Sequence, residues 1–292
     1  MSLFFQSLVL GVLLGGLYAL LAAGLTLYFG VMRVVMIAHS AFLILAAYLA
    51  WFFTSETGLD PLLSLVVTVP LFFVTGVAMQ RLLISRLRPA TLTMMSVLLT
   101  FSVALVIEGM LGFVFSGTQR RIRLPYSGDS IELFGANIAV VKLIAFGLAV
   151  LALSGLYLLM KRTTFGWALR ATIQHRDAAR LVGIDTDRVA GYGFGLGLAT
   201  AAVGGTALSL DTTIYPSLHW HWIGPLMAII VVGGLGSVPG AAAAAMLLGL
   251  LQSLLQIPMG TTWAQTIFYL ALFATLAFRP QGFFGGRIAQ RF

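Results

Sequence analysis

Four ionisable side chains stand within or beside long apolar runs of this 292-residue chain, at His39, Glu108, Lys142 and Asp211. A charge buried in lipid costs about 2.5–3.5 kcal/mol on insertion scales, so such side chains face other helices or an interface and are candidates for contact with a solute or ion. For His39 and Glu108 the sequence leaves open a structural hydrogen bond or a transport role. Lys142 is predicted to extend its ammonium to the interface, and Asp211 to lie at the surface.

The residue types offer little for catalysis or metal binding. The only lysines are Lys142 and Lys161, neither preceded by glycine, so no phosphate-binding GK[ST] turn can form and any ATP must be bound by another chain. The absence of cysteine excludes disulfides and thiolate ligands. His219 and His221 flank Trp220 without a nearby third ligand, which favours an aromatic belt at the outer interface over a metal site. No catalytic residue, metal or cofactor is predicted.

A basic polar stretch, KRTTFGWALRATIQHRDAARLVGIDTDR at 161–188, interrupts the apolar second half of the chain. It carries six of the seventeen Lys and Arg residues and three of the nine acids, so the positive-inside rule places it in the cytoplasm. Thr163 and Thr164 can cap the start of a helix, and Gly183 suits its C-terminal stop. The predicted helix has an apolar stripe at Trp167, Ala171, Ala178 and Leu181 and an opposite basic face at Arg170, Arg176 and Arg180. Such a helix either lies on lipid or fills a groove in a partner, and the pattern alone does not choose.

The composition is that of an integral membrane protein. Hydrophobic residues make up 60% of the chain, charged residues 9%, and the mean hydropathy is +1.01, whereas soluble domains carry about 25% charged residues. We expect an all-α polytopic fold with a single transmembrane domain over residues 1–292 and about eight membrane-spanning helices of roughly 20 residues each. The net charge of +8 does not indicate a nucleic-acid partner, because eight arginines beside span ends are typical of topology signals and lipid-headgroup contacts. They are Arg33, Arg81, Arg86, Arg88, Arg162, Arg279, Arg287 and Arg291.

The apolar runs predict spans whose order fixes the topology. The spans lie at about 7–31, 39–54, 61–84, 91–115, 138–160, 189–210 and 262–278, with an interrupted apolar segment at 223–257. Arg81, Arg86 and Arg88 place the loop after the third span inside the cell, and counting back places the N-terminus outside. The C-terminal tail is itself basic, which places it inside. Counting spans then places the loop 116–135 outside although it holds Arg120, Arg121 and Arg123; Asp129 and Glu132 partly offset them.

Two apolar segments are interrupted, one in each half of the chain. In the second half GGLGSVPG occupies 233–240, and such breaks are tolerated at membrane depth only where other groups satisfy the freed backbone. In the first half VMRVVMIAHSAF at 31–42 places Arg33 only six residues before His39. One or two broken or re-entrant segments are therefore expected. Because paired breaks point to a transport pathway, the predicted lining residues are His39, Ser40, Gly233, Gly234, Gly236 and Ser237.

Four segments together resemble the permease subunits of branched-chain amino acid ABC importers, of the shorter, LivH-like type. They are GLYALLAAGLTLYFGVMRVVMIAHSAF at 16–42, TFGWALRATIQHRDAARLVGIDTDRV at 164–189, VVGGLGSVPGAAAAAMLLGLLQ at 231–252 and FRPQGFFG at 278–285. They stand in the family's order, and the resemblance covers almost the whole chain.

The resemblance implies a partner set and a coupling site. The stretch 161–188 is similar to the loop through which these permeases engage their ATPase, and the residues that correspond to that role are Arg170, Asp177, Ala178, Ala179 and Gly183. The implied partners are a second related permease, two cytoplasmic ATPase subunits that bind the ATP, an extracytoplasmic solute-binding protein and membrane lipid. The implied location is the cell (inner) membrane, crossed several times.

The implied cargo is a small polar solute, by default a branched-chain amino acid. The family usually reads Asn-Phe-Ala-His-Gly-Asp where this chain has Met-Ile-Ala-His-Ser-Ala at 36–41, so fewer polar groups line that segment. Relatives of this family import urea or short amides, so those solutes are alternative cargoes. A different class, an ion-coupled secondary transporter, would use an intramembrane acid such as Glu108 but gives the polar stretch at 161–188 no purpose. A structural membrane scaffold would leave the paired breaks unexplained.

Overall fold

A computed structural model describes residues 2–32, 34–87, 91–133, 136–279 and 281–283. Ten α-helices are found in these ranges: α1 Ser2–Met32, α2 Ala38–Thr57, α3 Leu65–Leu82, α4 Leu92–Phe115, α5 Val140–Arg162, α6 Thr164–Gln174, α7 Arg176–Leu181, α8 Thr186–Ser209, α9 His219–Gly233 and α10 Val238–Phe278. A two-stranded antiparallel hairpin, β1 Ser130–Leu133 with β2 Ala136–Ala139, precedes α5. Arg33, Arg88, Arg287 and Arg291 lie outside the described residues, as does the end of the FRPQGFFG segment.

The expected all-α polytopic membrane fold is confirmed. Six helices within the described ranges are long and apolar enough to cross a membrane, namely α1 to α5, with α3 extended by short 3₁₀ turns at its ends, and α10. α8 is 24 residues long, or roughly 36 Å at 1.5 Å per residue, which exceeds the roughly 30 Å of a hydrocarbon core. α9, at 15 residues, is roughly 22 Å long and too short to cross alone.

α10 is two antiparallel helices rather than one rod. Its 41 residues contain Pro258 and a non-helical Gly260 (φ 75°, ψ 170°). The residues just before this helix contact the residues just after it. A Cβ at Gly282 would lie 2.5 Å from Gly234 Cα, and Phe283 N–H donates to Val232 O at 2.9 Å. A straight helix of this length would hold its ends roughly 60 Å apart, so the chain reverses at Gly260. The predicted last span at 262–278 is thus the second half of α10. The break predicted in 223–257 separates α9 from the first half of α10.

Glycines bring the backbones of α1 and α10 into direct contact. A Cβ at Gly249 would lie 2.6 Å from Gly15 Cα, and one at Gly11 would lie 2.9 Å from Leu250 Cα. Membrane helices gain little from the hydrophobic effect against each other, so close approach through small residues supplies the packing. The first half of α10 therefore runs antiparallel to α1.

The glycine-rich α8 forms the centre of the bundle in the same way. Most of its residues are buried, although its sequence YGFGLGLATAAVGG is less apolar than the other spans. A Cβ at Gly195 would lie 2.8 Å from Phe73 O of α3, and one at Gly204 would lie 2.8 Å from Leu21 of α1. In contrast, α3, α4 and α5 expose large apolar side chains such as Val66, Phe113 and Leu151, which is the pattern of lipid-facing helices.

The loop between α4 and α5 lies at the same face as the loop after α2. Tyr126 O–H donates to Asp60 Oδ2 at 2.6 Å, and burial together with this carboxylate raises the pKa of the Tyr126 phenol. Arg120 exchanges two backbone hydrogen bonds of 2.8 Å with Ile214, and its guanidinium lies 4.8 Å from the centre of the Trp51 ring. Arg120 is thus held by local contacts at the face that span counting assigns to the outside. We call this the outer face and the opposite one the inner face.

Replacing Gly249 by alanine is expected to destabilise the bundle, because the added methyl would meet the Gly15 backbone, which cannot rotate away. Overpacking of this kind costs about 1–3 kcal/mol. Gly112→Ala is the matched control: a Cβ there has no neighbour within 4 Å, and alanine is favoured in a helix by about 0.5–1 kcal/mol. Thermal unfolding of the detergent-solubilised variants, followed by loss of the monodisperse species, is the measurement. Equal melting temperatures for Gly249→Ala and the wild type would contradict this account of the packing.

Candidate functional site

The polar arm, defined here as residues 163–183, begins on a capped turn fixed to α5. Thr163 Oγ1 accepts a hydrogen bond from Gly166 N–H at 3.0 Å, which is the N-cap predicted from the sequence. A Cβ at Gly166 would collide with the carbonyl groups of Leu159 and Met160 at the end of α5, so α6 folds back tightly against that helix. Its Leu169 is fully buried.

The arm contains two helices, not the single amphipathic helix that the stripe predicted. The chain leaves helical geometry at His175 (φ −156°, ψ 101°), whose Nδ1 accepts from Ala178 N–H at 3.2 Å and so caps α7. This break rotates α7 relative to α6, and the predicted stripe does not become a buried face. Trp167 and Leu181 are 64% and 88% exposed. The buried positions are Gly166, Leu169, Thr172 and Ala179.

Gly183 ends the arm as predicted. Its φ of +85° is in the left-handed region, and its N–H donates to Arg180 O at 3.0 Å while Ile184 N–H donates to Ala179 O at 3.0 Å. These two bonds make a Schellman motif, in which glycine is preferred at the left-handed position. A Cβ at Gly183 has no neighbour within 4 Å, so only the backbone conformation requires glycine.

Asp187, at the start of α8, fastens α7 to the membrane domain. Its Oδ1 lies 2.6 Å from Arg176 Nη2 and its Oδ2 lies 3.1 Å from Arg180 Nη2. Arg180 Nε also donates to Thr186 Oγ1 at 2.8 Å. Exposed ion pairs are individually weak, but one carboxylate that bridges two guanidiniums with good geometry orders both side chains. Two of the three arginines on the predicted basic face are therefore turned towards α8.

The remaining surface of the arm is apolar and exposed. Trp167, Leu181 and Val182 are 64%, 88% and 77% exposed, and Arg170 lies over the Trp167 ring, 4.5 Å from its centre. Of the predicted coupling residues, Asp177 and Ala178 are exposed and Ala179 is buried. Such an exposed group of large apolar side chains, bordered by charge, is typical of a protein interaction site.

The first break places His39 and Ser40 inside the bundle. His39 Nε2 lies 2.8 Å from Leu21 O, and its Nδ1 lies 3.4 Å from the hydroxyl oxygen of Tyr28. Ser40 Oγ donates to Ile37 O at 3.2 Å. Both residues are 1% exposed. In this conformation both side chains bond to the protein itself, and His39 ties α2 to α1.

The second break forms a compact glycine turn, residues 234–237, at the inner face. Gly234 (φ 96°, ψ 121°) and Gly236 (φ +83°) adopt conformations that favour glycine, and Ser237 Oγ caps α10 by accepting from Gly240 N–H at 3.1 Å. A Cβ at Gly233 would lie 2.5 Å from the Gly240 carbonyl, and one at Gly236 would lie 2.9 Å from Gly30 Cα of α1. The two predicted breaks therefore pack against the same helix, since His39 bonds to Leu21 of α1, about two and a half turns from Gly30.

A cleft of about 920 Å³ separates the arm from the glycine turn. Its walls include Met160 of α5, Arg170 and Gln174 of α6, and Gly236 and Ser237 of the turn. The C-terminal segment closes the other side of the turn through Gly282 and Phe283. All four segments singled out in the sequence thus meet at the inner face, since Gly30 of the first segment contacts Gly236.

Glu108, Lys142 and Asp211 each have a polar partner near the outer face. Glu108 Oε2 accepts from Trp220 Nε1 at 3.1 Å and lies 3.7 Å from the Nε2 of buried His219. Lys142 Nζ lies 3.6 Å from Asp211 Oδ2, and both side chains are partly exposed. Lys142 was predicted to extend its ammonium to the membrane interface, and in the structure that ammonium also has a protein partner.

His221 diverges from His219 and lies 3.1 Å from Gln265 Nε2. It borders a second cavity, which also contains Gln252 and Gln256. Sequence reasoning missed these glutamines and Asp187. The signal for the glutamines was present, because GLLQSLLQIP places two amides four residues apart in an otherwise apolar helix. No local pattern links Asp187 to arginines seven and eleven residues earlier.

Comparison with known proteins assigns this architecture to a family. The family model described as "Branched-chain amino acid transport system / permease component" matches residues 7–276. The high-affinity branched-chain amino acid permease protein BraD of Pseudomonas aeruginosa is 25% identical, with 97% of this chain and 96% of that protein covered. The probable permease LivH of Methanocaldococcus jannaschii is 27% identical, with 94% and 90% covered, and LivH of Escherichia coli K12 is 25% identical, with 97% and 96% covered. No solved structure matches.

The match spans both membrane breaks, the polar arm and most of α10, and the similarity extends over nearly the full length of the relatives. This chain belongs to the family of permease components of branched-chain amino acid transport systems.

Proposed function

We propose that this chain is the membrane-spanning permease of an ATP-driven importer whose cargo is a branched-chain amino acid. The relatives named as high-affinity branched-chain amino acid permeases support the cargo. Membership of this family supports an assembly of this chain with ATPase and binding-protein components. In the proposed assembly this chain pairs with a second related permease, two ATPase subunits dock at the inner face, and a solute-binding protein docks at the outer face.

The observation that carries the proposal is the construction of the polar arm. Its exposed surface is apolar, at Trp167, Leu181 and Val182, yet its other side is capped, buried and ion-paired to the membrane domain. A segment that only connected α5 to α8 would need neither feature. A helical pair that presents apolar side chains from a rigid base suits insertion into a groove of a partner, which is the proposed role of Asp177, Ala178 and their neighbours. A helix lying on lipid remains the competing interpretation and is an outcome of the test below.

The arm is placed to transmit motion to the spans. α6 is fixed to α5 at Gly166, and α7 is fixed to α8 at Asp187. Packed protein interiors transmit displacement because they contain little free volume. A shift of the docked arm would therefore move the inner ends of α5 and α8 together and change the cleft beside the glycine turn.

The proposed solute pathway includes the two breaks, at His39 and Ser40 and at Gly233, Gly234, Gly236 and Ser237. In the present conformation His39 is bonded to α1 and both His39 and Ser40 are 1% exposed, whereas Gly236 and Ser237 line the inner cleft. We therefore propose that His39 and Ser40 become accessible to water only in another state of the transport cycle, as alternating access requires.

Reconstitution of this chain with its partner subunits in liposomes tests the function. ATP-dependent, binding-protein-dependent uptake of leucine, isoleucine and valine is expected. Uptake of urea or acetamide in place of amino acids would reassign the cargo, and uptake driven by an ion gradient without ATP would reject the importer.

Replacing both Leu181 and Val182 by aspartate is expected to detach the ATPases without unfolding the chain, since both side chains are largely exposed. Loss of buried interface anchors typically costs about 2 kcal/mol or more, so co-purification of the ATPases should fall at least about tenfold. Leu59→Asp, an exposed leucine at the outer face, is the matched control and should retain them. Full retention of the ATPases by the double variant would favour an arm that lies on lipid.

Gly183→Val is expected to reduce uptake and stimulated ATPase activity while membrane insertion stays normal. A β-branched residue in the left-handed conformation costs about 1–2 kcal/mol, which displaces the end of the arm. Gly183→Asn is the discriminating control, because asparagine tolerates this conformation and no neighbour blocks a side chain there. Asparagine should therefore retain most of the activity. Unchanged uptake in Gly183→Val would exclude a role for this stop in coupling.

Ser40→Cys tests the pathway, using a chain that has no native cysteine. A thiol at this 1% exposed position should be inert to a small water-soluble thiol reagent in the resting state, because reaction needs water access. Labelling is expected to rise when ATP and the loaded binding protein are added. A cysteine that stays unreactive in every state would remove this segment from the pathway and leave the glycine turn.

A further inference from the structure

A second cavity lies in the outer half of the bundle, and neither break contributes a residue to its lining. It encloses about 230 Å³ between α1, α9 and the two halves of α10. This is below the roughly 300–1,000 Å³ typical of pockets for drug-sized ligands, yet large enough for several water molecules at about 30 Å³ each. Its size therefore suits a small metabolite.

The lining combines amide groups with apolar surface. Gln252 Oε1 accepts from the Tyr18 hydroxyl at 2.7 Å, and Gln256 Nε2 donates to Thr261 Oγ1 at 3.1 Å. The third amide, Gln265, faces His221. Leu14, Trp222 and Phe268 supply apolar walls. Polar side chains at membrane depth are costly, and such residues line solute pathways more often than lipid.

The cavity has little net charge. Lys142, at its edge, is paired with Asp211 across an adjoining cavity of about 100 Å³ that shares Tyr18 and Trp222 with the first. A simple ion would find no uncompensated charge among the described lining residues. Amides both donate and accept hydrogen bonds, so they can pair with a carboxylate and an ammonium of one solute at the same time.

The reversal of α10 lies at the mouth of the cavity. The helix is interrupted at Gly260 and resumes at Thr261, and such interrupted membrane helices present free helix ends to small charged groups of a transported solute. Gln256 and Thr261 are exposed at this mouth, whereas Gln252 is 8% and Phe268 0% exposed at the closed end. The cavity thus opens towards the outer face and narrows inwards.

We infer that this outer cavity is a solute-binding site of the permease, which receives a zwitterionic amino acid with an aliphatic side chain on its way from the binding protein. The amides of Gln252, Gln256 and Gln265 bind the charged ends of the solute, and Trp222 and Phe268 pack against its side chain. This inference rests on the proposed import function and adds to it a location within one permease subunit.

The experiment uses the complete transporter with Thr261→Cys, which lies at the cavity mouth outside the proposed amide set, in this otherwise cysteine-free chain and with cysteine-free partner subunits. Uptake of leucine by the wild-type complex is measured first; its absence would reject the proposed function itself. The rate at which a small methanethiosulfonate labels the introduced thiol is then measured without binding protein. Three samples are compared: one with saturating L-leucine, one with acetamide and one with no solute. Leucine is expected to slow labelling about tenfold, as for a site occupied most of the time, and acetamide to leave it unchanged.

Gln119→Cys, in the exposed outer loop, is the control and should label equally under all conditions. Gln252→Leu, combined with Thr261→Cys, should abolish protection by leucine while the ATPases still co-purify, because the amide at the closed end is lost. Unaltered labelling of Thr261→Cys in leucine, with wild-type uptake intact, would overturn the site. Protection by acetamide but not by leucine would overturn the solute class.

Discussion

Contact between glycine backbones along α1 is the constraint on which the rest of the bundle depends. Gly15 meets Gly249 midway along the helix, and Gly30 meets Gly236 at the inner end. Any side chain at these positions would separate the helices by at least a methyl group, and membrane helices have no hydrophobic driving force to offset the lost dispersion contacts. α1 therefore holds the first half of α10 at backbone distance over its length, and the glycine turn closes only because Gly30 offers no side chain.

This arrangement makes α1 the common wall of the two breaks and the outer cavity. The glycine turn lies on Gly30, His39 bonds to the carbonyl of Leu21, and Tyr18 bonds to Gln252 in the outer cavity. These contacts follow one another along a single helix from the inner towards the outer face. A change in how α1 packs would thus reach both breaks and the cavity. The lipid-facing α4 reaches the first break through Thr100, whose Oγ1 donates to Val35 O and accepts from Ile37 N–H, each at 3.2 Å.

The sequence was sufficient for features that depend on local chemistry. The spans followed from apolar length, Thr163 and Gly183 from the backbone preferences of helix ends, and the break at 234–237 from glycine and proline in an apolar run. The sequence could not supply the orientation of one helix relative to the next. His175 leaves helical geometry because its ring caps the next helix, and that one break turned the predicted apolar stripe of the arm into an exposed surface. The reversal at Gly260 was equally hidden, because the span prediction gives where a helix stops but not the direction in which the next one runs.

The two ends of the first half of α10 differ in how firmly they are held. At the inner end, Gly233 is pressed against Gly240, and Gly282 against Gly234, with backbone atoms on both sides. At the outer end, Gly260 has no neighbour within 4 Å of a Cβ, and Gln256 and Thr261 beside it are exposed. A close-packed helix transmits displacement along its axis and yields where packing is absent. Motion that entered at the inner face, beside the arm, would therefore be absorbed at the reversal, where the outer cavity has its mouth.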